Sequence, residues 1–293
     1  MIESFLRFLQ FEKRYSLHTL GAYQRDLDQL LQFLESTFEI SSFKEVEHVH
    51  LRGWIVAKIE EGNSPKTVNR KIATLKSFFK FLQAREEVAK NPASRLKPLK
   101  TEKKLPAFVR ESEMDFLLDQ IDYPDTFSGF RDKLILEMLY GTGVRLAELI
   151  NLKDQDINDF QESIKVLGKR NKERVIPIGK KIVLLIKTYK QKRDSEQLKN
   201  MTNFLLVTDS GDQLYPMMVY RIVKKYLQKV TTLSKKSPHV LRHTFATHLL
   251  NKGADLNAVK DLLGHTSLAA TQVYTHNSME KLKSVFDQAH PKA

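Results

Sequence analysis

The sequence predicts a mainly α-helical chain of two domains carrying one small β-hairpin, and three observations predict it. Apolar residues recur at helical spacing through the first hundred residues, and a lysine- and proline-rich break then interrupts the pattern. Only at 163–178 do two β-branched runs flank a short polar turn. At 293 residues the chain is also longer than one average domain.

Phe5, Phe8 and Leu9 mark the first helix, and Leu20, Tyr23, Leu27, Leu30, Leu31 and Leu34 mark the second. A third is expected at 51–60. The fourth has a sharp start, because Ser64 can cap it and Pro65 fits the first helical position. Val68, Ile72, Leu75, Phe78, Phe79 and Leu82 form its apolar side. Lys66, Arg70, Lys71, Lys76 and Lys80 form the other, which is therefore read as facing an anion. Lys97-Pro-Leu-Lys-Thr-Glu-Lys-Lys104 has no periodicity, and prolines at 92, 98 and 106 break helices around it. The domains are accordingly expected at 1–96 and 107–293, with 97–106 as linker. The second domain reads as mostly helical again, including a helix from Arg145 to Leu152. Its exceptions are the hairpin and a short strand at 204–207.

Charge narrows the class of partner. Lys and Arg number 48 against 35 Asp and Glu, a formal net charge of +13. Residues 66–104 hold 12 basic and 3 acidic side chains, residues 163–193 hold 11 basic against Glu173 alone, and residues 213–254 hold 8 basic and no acid. Three separated basic tracts suit several contact points along a phosphate backbone. Arg170, Lys172 and Arg174 on the hairpin are read as contacts of this kind, together with those of the fourth helix. The absence of cysteine excludes disulfides, cysteine-ligated zinc and thiol nucleophiles. No apolar run approaches a membrane span, and Met1–Lys13 lacks the apolar core of a signal peptide, so a cytoplasmic protein is expected.

Gly141-Thr-Gly143-Val-Arg145 lacks the Gly-Lys-Ser/Thr of a phosphate loop and by itself reads as a helix end and turn. In Ser237-Pro-His-Val-Leu-Arg-His-Thr-Phe-Ala-Thr-His-Leu-Leu250, Pro238 can open a helix with His239 in its first turn and Arg242 three residues on. Leu241, Phe245 and Leu249 then face the core. His239 and His243 are four apart, but no carboxylate lies between Asp212 and Asp255, so a metal site is not expected. Leu262-Leu-Gly-His-Thr-Ser267 places His265 after a helix-ending Gly264, and Tyr274 follows in Gln272-Val-Tyr-Thr-His276. Two arginines, a hairpin lysine, two histidines and a tyrosine are the groups needed for a phenol to attack a phosphodiester.

These boxes resemble the signature segments of the tyrosine recombinases, and Leu17–Leu27 and Ser64–Lys71 resemble the clamp helices of their Xer subfamily. The resemblance spans essentially the whole chain. It implies a C-shaped, two-domain DNA clamp, built from a four-helix N-terminal core-binding domain and a mixed α/β catalytic domain. It implies that Arg145 and Arg242 clamp the scissile phosphate, Tyr274 attacks it and Lys169 protonates the leaving 5′-oxygen. His265 would bind the phosphate, and His239 would assist proton transfer. The product would be a 3′-phosphotyrosyl bond, formed without metal or other cofactor. The implied partners are a duplex recombination site and a homo- or hetero-tetramer with a second Xer-type recombinase, with activation by a DNA translocase left open. The implied role is chromosome-dimer resolution at a dif-like site. The same chemistry would serve a phage or mobile-element integrase, whereas an inactive DNA-binding relative is disfavoured because all six catalytic positions are filled. Ala269-Ala270, where relatives more often carry hydroxyl residues, is the one departure noted. The amphipathic tail 278–288 would dock on a neighbouring protomer.

Overall fold

A computed structural model describes residues 1–102, 107–168, 173–196, 198, 202–264 and 289. The chain divides into two compact units, Met1–Lys104 and Leu105–Ala293. Among the described residues no helix is long and apolar enough to cross a membrane.

The first unit is a helical bundle of α1 (Ile2–Arg7), α2 (Leu17–Phe38), α3 (His48–Glu60) and α4 (Pro65–Ala84). Ser16 and Ser64 cap α2 and α4, each accepting the amide hydrogen of the threonine three residues on at 3.3 Å. These caps satisfy amides that a helix start leaves without a partner, and they set where the apolar stripe begins. Phe5, Leu27, Leu30, Leu34, Leu51, Trp54, Leu75, Phe78 and Phe79 are fully buried together. Phe78 packs edge-on against Phe5 and Phe43, with ring centroids 5.3 and 4.9 Å apart. The residues after α4 are not a free tether. Ala93 and Leu96 join this core, and Asn69 of α4 exchanges two hydrogen bonds with the backbone of Leu99 at 2.7 and 2.9 Å. The first part of the expected linker is therefore docked on its own unit.

The second unit contains α5 (Glu111–Asp115), α6 (Phe127–Thr142), α7 (Leu146–Ile150) and α8 (Lys180–Ser195), followed by α9 (Pro216–Val230), α10 (Pro238–Asn251) and α11 (Leu256–Leu263). A three-stranded antiparallel sheet, β1 (Ile157–Asn158), β2 (Ser163–Leu167) and β3 (Glu173–Pro177), stands in that order. The hairpin β2–β3 runs in register from Ser163 opposite Pro177 to Leu167 opposite Glu173, as the β-branched runs require. Helix α6 is buried along nearly its whole length, which explains why its sequence shows no polar stripe.

Two expectations need correction. Residues 204–207 form no strand, only two isolated bridges, from Phe204 to Lys153 and from Val207 to Gln213. Their apolarity reflects burial of Leu205, Leu206 and Val207, and Arg193 donates to the Leu205 carbonyl at 3.1 Å. The helix expected from Arg145 to Leu152 is shorter, and Arg145 is its extended N-cap residue.

The turn between α6 and α7 depends on Gly143, whose φ of +61° is left-handed. A Cβ there would stand 2.5 Å from Phe245 Cδ1 and 3.0 Å from Leu263 Cδ2. Gly253, at φ +84°, would meet nothing within 4 Å. Gly253→Ala should thus cost only the left-handed strain, about 1 kcal/mol. Gly143→Ala adds overpacking and should cost about 3 kcal/mol or more. Scanning calorimetry separates the two, and equal melting of the two variants would contradict this assignment.

Candidate active site

Chain reversal at Gly143 brings Arg145 to the start of α7, and the side chain three residues on closes the turn. Glu148 accepts the Arg145 amide hydrogen at 2.8 Å, the reciprocal half of a capping box. The same carboxylate accepts Arg145 Nη1 at 2.8 Å and both terminal nitrogens of Arg174, on β3, at 2.7 and 2.8 Å. Arg174 Nε donates to the Leu262 carbonyl at 3.1 Å, and Arg145 Nη2 to that of Gly264 at 3.0 Å. Arg242, on α10, donates to the carbonyls of Gly143 and Leu263, the latter at 2.6 Å. Three guanidiniums from three elements thus meet at the C-terminal end of α11, where unpaired carbonyls and the helix dipole favour cations. Gly264 ends α11 at φ +64°, and a Cβ there would lie 3.1–3.2 Å from Arg174.

Electrostatics follow from this crowding. Glu148 pairs directly with Arg145 and Arg174, and Arg242 stands beside them on backbone carbonyls. Burial, then the charges of Arg145 and Arg174, depress the Arg242 guanidinium to about 10, which leaves it protonated at neutral pH. Burial opposes ionisation of Glu148, but hydrogen bonds from Arg174 and from the Arg145 backbone outweigh it and hold the carboxyl at about 2. A dianionic or monoanionic oxygen cluster placed beside these guanidiniums relieves their repulsion. Planar guanidinium forks match phosphate geometry, so a phosphate group is the natural ligand.

Helix α10 is held from its other side. Thr244 Oγ1 accepts the Val109 amide at 3.0 Å, and His248 Nδ1 lies 3.0 Å from the Tyr140 hydroxyl. Leu241, Phe245 and Leu249 are buried, as their spacing predicts. Pro238 occupies the first turn, although Ser237 makes no side-chain capping bond. His239 is exposed in that first turn.

Of the predicted site residues, the structure brings Arg145 and Arg242 to one place. Lys169, His265 and Tyr274 lie outside the described residues, as do Arg170, Lys172, Ala269 and Ala270. So does the 278–288 tail, although Ala289 beyond it is buried with the core of the second unit. Lys66 and Arg70 stand exposed on α4, and Lys76 is half-buried. Two assignments as DNA contacts are corrected. Lys71 is buried, donating to Asp26 at 3.0 Å and Gln29 at 2.6 Å, and Arg174 is buried on Glu148. Both cations are consumed inside their units because removing a charge from water requires a close opposite charge. Glu148 escaped sequence reasoning. Its signal was a glutamate in the first turn of a helix, three residues after the N-cap, where it can accept the N-cap amide hydrogen.

Glu148 links stability to acid. Its folded pKa is depressed, so its contribution is complete above about pH 4.5 and is lost as pH falls towards 2. Over that window it should amount to roughly 3 kcal/mol. Glu148→Gln should lower the urea midpoint at pH 7 and flatten the loss of stability below pH 4.5. An unchanged acid slope would show that the ion pairs contribute nothing.

Residues 107–281 match the family model described as phage integrase family, and residues 2–86 match that of the phage integrase, N-terminal SAM-like domain. Tyrosine recombinase XerD of Staphylococcus haemolyticus is 37% identical over 100% of this chain and 99% of its own length. Tyrosine recombinase XerC of Thermodesulfovibrio yellowstonii is 38% identical, covering 99% of this chain and 96% of its own. In fold, the chain is similar to the XerH site-specific recombinase bound to a palindromic difH substrate in a post-cleavage complex. That likeness has a TM-score of 0.73 at 23% identity, covering 97% of this chain and 83% of that one. With the family match spanning both units, the chain belongs to the phage integrase family, among its Xer-like tyrosine recombinases.

Proposed function

We propose that this protein is a site-specific recombinase that cuts and rejoins duplex DNA through a covalent 3′-phosphotyrosyl intermediate. The observation that carries the reading is the convergence of Arg145, Arg174 and Arg242 at the end of α11, where Glu148 and the carbonyls of Gly143, Leu263 and Gly264 hold the three guanidiniums in fixed orientations. Fixed guanidinium forks of this kind suit the oxygens of a scissile phosphate.

In the step proposed, the Tyr274 hydroxyl oxygen attacks phosphorus and the bond to the 5′-oxygen breaks. His239 assists removal of the phenolic proton, and Lys169 delivers a proton to the departing 5′-oxygen. His265 donates to a non-bridging oxygen. Charge accumulates on the non-bridging oxygens as the fifth bond forms, and two fixed guanidiniums stabilise that state more than the ground state. Glu148 and the Gly264 carbonyl hold Arg145 in place, so little reorganisation is needed when the phosphate arrives. One phosphodiester replaces another, and the 5′-hydroxyl can return to reverse the step. The bond energy is retained for religation.

Lys66 on α4 and the basic tracts of the second unit would contact the duplex backbone on either side of the cut. Full-length relatives named XerD and XerC support chromosome-dimer resolution at a dif-like site, acting in the cytoplasm as a multimer, over integration of a mobile element. Whether the second recombinase of the assembly is another copy or a paralogue is decided by reconstitution with each.

A nicked suicide duplex bearing the recombination site should trap the protein covalently on the 3′ side of the cut, and Tyr274→Phe should abolish the adduct. An adduct surviving that change would remove Tyr274 as nucleophile. Lys169→Ala should slow cleavage about 100-fold or more, in the range of general-acid effects. A 5′-thio leaving group, which needs no proton, should restore the rate. Persistence of slow cleavage on the thio substrate would assign the acid elsewhere.

A further inference from the structure

The most heavily satisfied carboxylate of the first unit is Asp26, and the proposed mechanism makes no use of it. It sits on α2, about 1% exposed, and receives donors from three residues of α4. Arg70 donates both terminal nitrogens to it, Nη2 to Oδ1 at 2.8 Å and Nη1 to Oδ2. Lys71 Nζ donates at 3.0 Å and Thr74 Oγ1 at 2.9 Å. Lys71 is buried in turn, held by Gln29 at 2.6 Å and lying 5.3 Å from the centroid of the Trp54 ring. Arg70 differs from it, because its side chain remains 43% exposed.

The cluster has two cations and one anion, and the buried lysine and the aspartate account for each other. The surplus charge resides on Arg70, at the surface. An unbraced surface arginine ordinarily samples many rotamers. Here two N–H groups are pinned end-on by a buried carboxylate, which removes that freedom. The other three of the five guanidinium donors keep a fixed plane. Lys66, one turn earlier on the exposed side of α4, carries no such brace among the described contacts. The pair Lys66 and Arg70 thus combines an unbraced point charge with an aimed fork.

We propose that Asp26 is a positioning residue that converts Arg70 into a base-reading contact, with the edge of a guanine as its ligand. A guanine presents O6 and N7 in the major groove as two adjacent acceptors, the arrangement that a fixed guanidinium fork matches and a lysine does not. A phosphate can accept the same fork but carries no sequence information, so only the guanine reading predicts a base preference that depends on the brace. The inference rests on the proposed recombinase function, since it assumes that α4 meets duplex DNA.

The test is selection of bound duplexes from a pool with a randomised stretch, using the full-length protein and its Asp26→Asn, Arg70→Lys and Arg70→Ala variants. The wild type should enrich a motif containing a guanine whose preference falls about tenfold or more in Arg70→Lys and Arg70→Ala. Asp26→Asn should relax the same base pair and leave other positions of the motif unchanged. Arg70→Lys guards against a folding artefact, because its exposed change leaves Asp26 and Lys71 in place. A motif identical in all four proteins, or a uniform loss of affinity without relaxation of any one base pair, overturns the inference while leaving the recombinase reading intact. A wild type that enriches no sequence overturns both.

Discussion

Holding several like charges close together, in a partly dry site, is the constraint on which the rest of this molecule depends. Arg145, Arg174 and Arg242 would repel one another in a low-dielectric pocket, where charges interact far more strongly than in water. The protein counters this with one carboxylate, Glu148, and with three consecutive carbonyls at the end of α11, those of Leu262, Leu263 and Gly264. Burial first, and then the neighbouring Arg145 and Arg174 charges, depress the Arg242 pKa, and a phosphate ester would favour its charged form.

This arrangement explains why residues without chemistry of their own matter. Gly143 and Gly264 each adopt a left-handed conformation that ends a helix and turns a carbonyl or its neighbour towards an arginine. Neither position has room for a side chain. The contacts of α10 with Val109 and Tyr140 fix the helix that carries Arg242, so the site is anchored from the core outward. Preorganisation of this kind matters most for a reaction whose transition state gains negative charge, because donors already in place need not reorient.

The first unit repeats the device with another emphasis. Asp26 gathers Arg70, Lys71 and Thr74 as Glu148 gathers Arg145 and Arg174. In both, a buried acid on one helix orders at least one cation supplied by a different element. One cation becomes part of the scaffold and another stays reachable. A basic protein that must recognise a polyanion needs both kinds, since a surface of mobile lysines attracts DNA without orienting it.

Much of this was legible in the linear chain. Period-3.6 apolar spacing, the Ser64-Pro65 start, the β-branched runs around the hairpin and the helix-ending glycines 143 and 264 all express local physics, acting within a few residues. Arg145 and Arg242 were legible through residue type and motif. The fates of Lys71 and Arg174 were not, and tertiary structure alone decided them. Their carboxylate partners lie 45 and 26 residues away, and a cation on a helix or strand looks solvent-facing until its distant acid is found. The docking of Leu99 on Asn69 and the bridging of 204–207 were hidden for the same reason. Local sequence determines which elements form and which faces are apolar. Which charges are surrendered to the interior, and which are left for a ligand, depends on pairings made only when the chain closes on itself.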